Sequence, residues 1–420
     1  LYSYQYIFLT PYASASLILG FFVANGASFG IYLLKFTSGK ILFIFPSVML
    51  LLLVVLASYN MEIVNVKALS KSKSLQDNAS MAESYRKQGQ LLRKKKDYPG
   101  SLAKFSEALS MSTVMNDKSS MAKTLNSMAI LNWRTKEKDE ALKNWLSALA
   151  IVEELGDKPK ISKYLNNIGI WYRDDSDYSK SVEYYQRSLE IKEALGDVRN
   201  ISKTLNNIGN VYFMMGDYEN SVEFYGKSVE IKEKLQDNKG LASTLNNIGE
   251  TYFYQENYDQ ALKSFRKSIN YGGNNMDNVF DNERYIGISH YYLGNFDSCN
   301  VYLKRTDEYY SMSEVKRMPI LPYLIIAKQK AGDDQASKDL LKEFKRIAEN
   351  NDAEKKDFIL ANWASYEVLS LLGETKEAKA FLENAYFEVK SRSRDIKNKS
   401  DRNKYLSSTF HSKINDAWSN

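Results

Sequence analysis

Asparagine side chains recur at fixed intervals through the middle of this chain of 420 residues. The motif LNNIG begins at Leu165, Leu205 and Leu245. A side-chain amide both donates and accepts hydrogen bonds, so it can pair with the N–H and C=O groups of an extended peptide whatever the sequence of that peptide. The asparagines form columns along the repeats, namely Asn126, Asn166, Asn206 and Asn246, and Asn167, Asn207 and Asn247. These columns could therefore pair with the backbone of an extended peptide.

A helical wheel places these asparagines on a face of their own. With Leu205 at zero and about 100° per residue, Ile208 and Tyr212 fall within about 60° of it, on a packing face. The asparagines fall on a second face together with lysines and aromatic residues. The predicted groove residues are Lys123, Asn126, Trp133, Lys163, Asn166, Asn167, Arg173, Lys203, Asn206, Asn207, Asn210, Phe213, Asn246, Asn247, Glu250, Phe253 and Tyr254. The aromatic residues would supply side-chain pockets, and the lysines would favour an acidic partner.

A second interpretation gives the asparagine pairs a structural role. Amides on neighbouring repeats could hydrogen-bond to each other and hold the array together, and the duplication of a repeat copies residues whether or not they have a function. Ligand binding and structural use both remain open at this point.

These side chains must be positioned by a repeated unit, which is visible from Met81 onward. Blocks of 40 residues begin at 81, 121, 161, 201 and 241, and a period of this length indicates a repeat architecture. In the block at 201, apolar residues recur at helical spacing in both halves, and Gly216 marks a turn between them. Gly209 and Ser221 are small residues, which suits two helices that approach closely. Each block is therefore predicted to form two amphipathic helices joined by a tight turn.

This pattern resembles the tetratricopeptide repeat family, in which Leu, Gly and Tyr, then a small residue, an aromatic residue and another small residue recur in register. In the block at 201 these positions are Leu205, Gly209, Tyr212, Ser221, Tyr225 and Ser228. The long period looks like the repeats of kinesin light chains and of bacterial signalling proteins. The resemblance implies an all-α fold, a right-handed superhelical α-solenoid of about eight helix–turn–helix repeats. It also implies that asparagines at matching positions clamp the backbone of a ligand.

The blocks predict a division of the chain into five parts. A hydrophobic N-terminal region at 1–60 and a linker at 61–80 precede five repeats of 40 residues at 81–280. Three degenerate repeats at 281–398 and a C-terminal capping helix at 399–420 complete the array.

The N-terminal region contains two uncharged stretches, at 12–34 and 41–58, joined by a linker with Lys35 and Lys40. A helix of about 20 apolar residues spans a bilayer, so one interpretation is one or two hydrophobic transmembrane helices. The other is a signal peptide whose apolar part is the second stretch. We expect membrane association with the repeats outside the cytoplasm, because the linker lysines would hold their loop inside. Lysines between 67 and 73 argue for the alternative, cytoplasmic repeats.

The first repeat contains a strongly basic segment, residues 85–96. Arg86, Lys87, Arg93 and Lys94 fall on the face of the groove in this segment. They are predicted to contact an acidic ligand or anionic lipid. A solvated cationic helix end explains the same pattern.

The remaining composition offers little for catalysis. The chain has 57 basic and 51 acidic residues, and its formal net charge of +6 is too mild to indicate a nucleic-acid partner. Cys299 is the only cysteine, and His290 and His411 are the only histidines, so no thiol-rich metal site can form. We predict no catalytic residues and no cofactor.

The favoured function is a non-catalytic scaffold that binds a protein or peptide in the groove of the repeats. One alternative is a sensory or regulatory module of a bacterial signalling system whose output domain is absent or lies on another chain. The other is a membrane-tethered structural spacer.

Overall fold

The computed structural model describes residues 16–20, 31–35, 78–273, 275–350 and 358–420. The chain divides into two compact units, Leu1–Gln76 and Asp77–Asn420.

The described part of the first unit is a pair of antiparallel strands. Strand β1 (Ser16–Gly20) pairs with β2 (Ile31–Lys35), with Ser16 opposite Lys35. The continuous helix predicted across 12–34 is therefore wrong for these residues. Three glycines in this stretch disfavour a helix, while its aromatic and β-branched residues favour strands.

The second predicted apolar segment, 41–58, and the linker at 61–80 up to residue 77 lie outside the described residues. Among the helices that the structure describes, none is both long enough and apolar enough to cross a bilayer.

The second unit is all-α, and its first ten helices follow one another at a constant interval. They are α1 (Asn78–Lys94), α2 (Tyr98–Val114), α3 (Lys118–Arg134), α4 (Lys138–Glu154), α5 (Lys158–Asp174), α6 (Tyr178–Ala194), α7 (Val198–Met214), α8 (Tyr218–Lys234), α9 (Asn238–Tyr254) and α10 (Tyr258–Gly272). Each odd-numbered helix packs against the even-numbered helix that follows it. The blocks of the sequence therefore correspond to consecutive helix pairs.

Three-residue turns separate these helices and account for their regularity. The second residue of each turn after α1 to α9 has a positive φ, as at Ser176 (59°) and Gly216 (75°). The third residue is Asp or Asn in all of these turns but one, and its side chain accepts a hydrogen bond from the next helix, as Asp217 does from the N–H of Asn220. This N-cap satisfies a backbone N–H that has no partner within the helix.

Close packing within a pair depends on the predicted small residues. The Oγ of Ser221 donates to the carbonyl of Gly209 at 3.0 Å, so the two helix backbones lie close together. A Cβ atom on Gly209 would lie 2.6 Å from a ring carbon of the buried Tyr225. The same arrangement recurs at Ser181 and Gly169. These contacts confirm the packing role that the sequence predicted for Gly209 and Ser221.

The interval is lost after α10, although helix pairing continues. The next helices are α11 (Met276–Tyr292), α12 (Phe296–Tyr309), α13 (Glu314–Arg317), α14 (Leu321–Lys330), α15 (Asp334–Asn350), α16 (Phe358–Leu371) and α17 (Thr375–Asp395). All seven residues from Leu321 to Ala327 in α14 are buried. A helix that is buried on every side has no polar face, so its sequence shows no amphipathic period.

The chain ends in two short helices, α18 (Lys399–Ser407) and α19 (Thr409–Ser419). The single capping helix predicted at 399–420 is thus interrupted at Ser408, whose backbone is extended. Both helices pack against α17, as a cap would, but they also reach back to the middle repeats. We call residues 396–419 the C-terminal segment.

Candidate functional site

The predicted groove residues of the middle repeats lie along one side of α5, α7 and α9, which we call the groove face. Its two ends differ in chemistry. The polar half, at the N-terminal and central turns, comprises Lys163, Asn166, Asn167, Lys203, Asn206 and Asn207. The aromatic half, at the C-terminal ends of α7 and α9, comprises Phe213, Met214 and Tyr254.

The polar half lines a cavity of about 610 Å³ between consecutive repeats. Two further lysines line this cavity, Lys192 at the end of α6 and Lys232 at the end of α8. Sequence analysis missed both, because it considered only the first helix of each block. The sequence does contain a pattern that could have identified them, since the two lysines occupy the same position in consecutive blocks.

These two lysines are buried, with 6% of Lys192 and 4% of Lys232 exposed. The Nζ of Lys192 donates to Thr204 Oγ1 at 2.6 Å, and Lys232 makes the same bond to Thr244. The pKa of each ammonium group is lowered to about 8, mainly by burial; Asp197 or Asp237 opposes this shift, and repulsion by Lys203 adds to it.

Several of the predicted asparagines are bonded within or between repeats rather than being available to a ligand. Asn126 is buried, and its Oδ1 accepts from Trp145 Nε1 and from Asn167 Nδ2, both at 3.1 Å. Asn210 Oδ1 accepts from Asn247 Nδ2 at 3.2 Å in the same way. For these four asparagines the structure shows hydrogen bonds of the kind that the structural interpretation requires.

The other asparagines differ from one position to the next. Asn206 accepts from Thr244 Oγ1 at 2.8 Å, and Asn246 donates to Glu250 at 2.7 Å. Asn166 and Asn207 are half-buried, and their side chains have no hydrogen-bond partner among the described residues. Their donor and acceptor groups are therefore the ones that the backbone of a peptide on the polar half could bind.

The polar surface continues beyond this cavity toward α11. A second polar cavity of about 860 Å³ is lined by Asn246 and Glu250 on α9, Arg284 on α11 and Lys316 on α13. The groove face therefore presents polar side chains over more than two repeats.

The aromatic half is covered by the chain itself. The ring of Phe410 in α19 lies edge-on to Tyr254, with ring centroids 5.1 Å apart, and Tyr254 in turn contacts Phe213. A cavity of about 450 Å³ remains between these rings and Ile396 and Tyr405 of the C-terminal segment. The C-terminal segment therefore covers part of the aromatic half and forms one wall of the cavity that remains there.

Phe253 requires a correction, because it was predicted to line the groove. Only 3% of this residue is exposed. Its ring packs against Tyr258, Tyr285 and Tyr292, so it belongs to the hydrophobic core. The first helix after the regular blocks, α11, supplies two of these rings and buries the position.

Polar bonds attach the C-terminal segment to the turns inside three successive helix pairs. The N–H of Lys397 donates to the carbonyl of Ser176 at 3.1 Å, in the turn before α6. The Nζ of Lys404 lies 2.6 Å from Asp217 in the turn before α8, and Lys413 lies 2.7 Å from Glu256 in the turn before α10.

A buried carboxylate strengthens the first of these attachments. Asp401 Oδ2 accepts from both the backbone N–H of Ser179 at 3.0 Å and its hydroxyl at 2.7 Å. This segment therefore runs along the turns that follow α5, α7 and α9.

The remaining predicted groove residues lie apart from this cavity or bond locally. Lys123 is half-buried on α3, and Trp133 at the end of that helix is 37% exposed. Arg173 bonds to the neighbouring Asp174 at 2.8 and 2.9 Å.

The basic residues of α1 are only partly available. Arg86 pairs with Glu83 at 2.7 Å, and Lys87 lies 3.7 Å from the same carboxylate. Arg93 is half-buried, and burial lowers its pKa, with repulsion from Arg134 as a smaller cause. Lys94 is exposed.

The residues that could have done chemistry are in packed environments. Cys299 is fully buried, and burial raises the pKa of its thiol to about 12. His290 stacks on Tyr302, and burial lowers the pKa of His411 to about 4. The described residues contain no cluster of His, Cys, Asp and Glu that could hold a metal ion.

The fold and the groove face define a class of protein: a solenoid of paired helices whose first helices carry columns of polar side chains. A tetratricopeptide repeat family profile matches residues 120–194 and 200–271. The chain thus contains repeats of the tetratricopeptide family, whose members are generally interaction modules. No curated protein sequence matches the chain.

Solved structures with a similar fold include three bacterial or archaeal proteins. A signal transduction ATPase from Pyrococcus horikoshii with a tetratricopeptide repeat sensor is 14% identical over 77% of this chain and 49% of that one, with a TM-score of 0.57. Aspartyl phosphate phosphatase F from Bacillus subtilis is 14% identical over 67% and 74%, with a TM-score of 0.48. The apo quorum sensor NprR from B. thuringiensis is 16% identical over 87% and 96%, with a TM-score of 0.47. At these identities the likeness concerns the fold alone.

Proposed function

We propose that this protein is a non-catalytic interaction scaffold that holds an extended segment of a protein partner on the polar half of the groove face. The observation that carries the proposal is that the two halves differ in occupancy. The C-terminal segment covers part of the aromatic half, whereas it contributes no residue to the cavity of the polar half, which is lined by amides and ammonium groups.

The side chains of the polar half match the needs of a peptide backbone. Asn166 and Asn207 each carry a donor and an acceptor that no described residue uses. Lys163 and Lys203 are exposed beside them, and their charge would attract an acidic segment and orient it. Recognition through amides would tolerate many side chains, as expected of a scaffold.

The proposal is tested with peptides selected by display from a random library on the full chain. Substituting Asn166→Ala and Asn207→Ala together should weaken the selected peptides about tenfold, because each lost backbone hydrogen bond is worth about 0.5–1.5 kcal/mol. Binding is measured by fluorescence anisotropy. The thermal unfolding temperature should stay nearly unchanged, since neither amide has a described partner.

A matched control is Asn384→Ala, which removes an exposed amide from α17, away from the groove face. This variant should bind the selected peptides as tightly as the unsubstituted chain. The proposal fails if no peptide is enriched, or if the double variant binds as tightly as the control.

A further inference from the structure

The cavity of the polar half holds two buried ammonium groups without counter-ions. Neither Lys192 nor Lys232 forms an ion pair with a carboxylate in the described part of the chain. Each ammonium group has three N–H donors, and a single threonine hydroxyl accepts from it. A buried charge without a partner is costly, so an arrangement that occurs twice at equivalent positions calls for an explanation.

The charged groups around these ammonium groups come from each neighbouring helix. Helix α5 contributes Lys163 and α7 contributes Lys203, both of which add positive charge to the cavity wall. Asp197 and Asp237 lie near the two ammonium groups and favour their charged form. The C-terminal ends of α6 and α8 also favour a cation through the helix dipole.

The two carboxylates are already engaged in capping the next helices. Asp197 accepts from the backbone N–H of Asn200 and from its side-chain amide at 2.8 Å. Asp237 accepts from the N–H of Gly240 at 3.0 Å. The cavity itself is lined by four lysines and one carboxylate, which leaves an excess of positive charge.

We propose that this cavity binds carboxylate side chains of an acidic partner segment, with Lys192 and Lys232 as the inner contacts and Lys163 and Lys203 as the outer ones. This inference rests on the proposed function and specifies the chemistry of the partner. A segment of aspartates or glutamates would supply the counter-ions that the cavity lacks. The equivalent positions of the inner lysines in adjacent repeats suit a segment that runs along the groove face.

Binding of this kind is coupled to protonation. The ammonium groups lose protons near pH 8 in the unbound protein, because burial disfavours their charge. A bound carboxylate favours the charged form, so it raises the pKa of each lysine and draws protons from the solvent. Affinity should therefore fall as the pH rises above 8.

The test uses the full chain and an acetylated, fluorescein-labelled peptide of eight glutamates. Replacing Lys192→Met and Lys232→Met together should weaken binding at least tenfold at pH 7. The matched control replaces two exposed lysines of α8, Lys227→Met and Lys234→Met, and removes the same charge. The control variant should change the affinity for the peptide less than twofold. Equal losses of affinity in the two double variants would overturn the proposal.

A second measurement needs no variant, so it holds even if the double variant folds poorly. Titration calorimetry of the unsubstituted chain at pH 8, in two buffers with different ionisation enthalpies, should show proton uptake when the octaglutamate peptide binds. No uptake would overturn the proposal. Displacement of the probe by inorganic phosphate, at concentrations where chloride has no effect, would also overturn it in favour of a phosphate site.

Failure of this inference can be told apart from failure of the scaffold function. If peptides from the random library bind through Asn166 and Asn207 while octaglutamate binding ignores Lys192 and Lys232, the scaffold function stands and the acidic partner does not. If no library peptide is enriched, the scaffold function itself fails.

Discussion

The two halves of the groove face share helix α7, but only one of them is covered by another part of the chain. The polar half, on α5 and α7, lines a cavity to which the C-terminal segment contributes no residue, while the aromatic half, on α7 and α9, is partly covered by α19. Position within a repeat determines which face a side chain occupies. It does not determine whether another part of the chain lies over that face.

The difference follows from the cost of removing each half from water. Burying apolar surface stabilises a protein by about 25 cal/mol per Å², so rings such as Phe213 and Tyr254 gain when Phe410 and its neighbours cover them. Burying amides and ammonium groups is costly unless every one of them finds a partner. The C-terminal segment covers the half that benefits and leaves the polar half to water or to a ligand.

The largest effect on stability is expected from removing the side chain of Phe410, which covers part of the aromatic half. Phe410 is 5% exposed and packs against Tyr254 and Trp363. Phe410→Ala should lower the free energy of unfolding by about 3–5 kcal/mol, as for other buried phenylalanines. Urea denaturation measures this loss, and hydrogen exchange should show faster exchange in the turns around Gly216 and Glu256.

The control is Phe387→Ala on α17, because Phe387 is 53% exposed. Phe387→Ala should lower the free energy of unfolding far less than Phe410→Ala does. If Phe410→Ala costs no more than this control, the C-terminal segment does not hold the aromatic half closed.

Most of the regular part of the fold could be predicted from the sequence, because local rules repeat there. Gly209 and Ser221 mark close approaches, and Gly216 marks a turn. The region after α10 was harder, since α14 is buried on all sides and has no amphipathic pattern.

The candidate site was only partly predictable, for a different reason. The sequence placed the asparagines on the first helices but missed Lys192 and Lys232 on the second helices, and the partners of these side chains come from distant parts of the sequence. Nothing in the repeat pattern indicates that Phe410 covers Tyr254, or that Trp145 bonds to Asn126. Such contacts depend on tertiary structure, which a helical wheel does not include.

The first column of asparagines can itself be divided by comparing two of its members, one on α3 and one on the polar half. Asn126 accepts from the buried Nε1 of Trp145, whereas Asn166 has no side-chain partner among the described residues. Asn126→Ala should lower the free energy of unfolding by about 1–3 kcal/mol, because it leaves that N–H unpaired. Asn166→Ala should change it by less than about 0.5 kcal/mol. Urea denaturation of the two variants gives the comparison.

A double-mutant cycle tests the cause of the larger effect. Trp145→Phe removes the N–H, so its cost and that of Asn126→Ala should not add. Equal decreases in the free energy of unfolding for Asn126→Ala and Asn166→Ala would show that the asparagines of this column share one structural role.

The smallest expected effect is a dependence of stability on pH that comes from the lysines of the polar half. Their pKa is about 8 in the folded protein and about 10.4 in an unfolded chain, so between these values the unfolded state binds more protons. The free energy of unfolding should therefore rise with pH in this window.

Relative to the Lys192→Met, Lys232→Met double variant, the free energy of unfolding of the unsubstituted chain should increase by on the order of 1 kcal/mol between pH 8 and about 9.5. Comparison with the variant removes the contribution of the tyrosines, whose pKa values are raised and whose effect on stability has the opposite sign. Parallel stability curves, measured by urea denaturation across this range, would mean that the two ammonium groups are not under electrostatic strain and that the polar half has no need of a counter-ion.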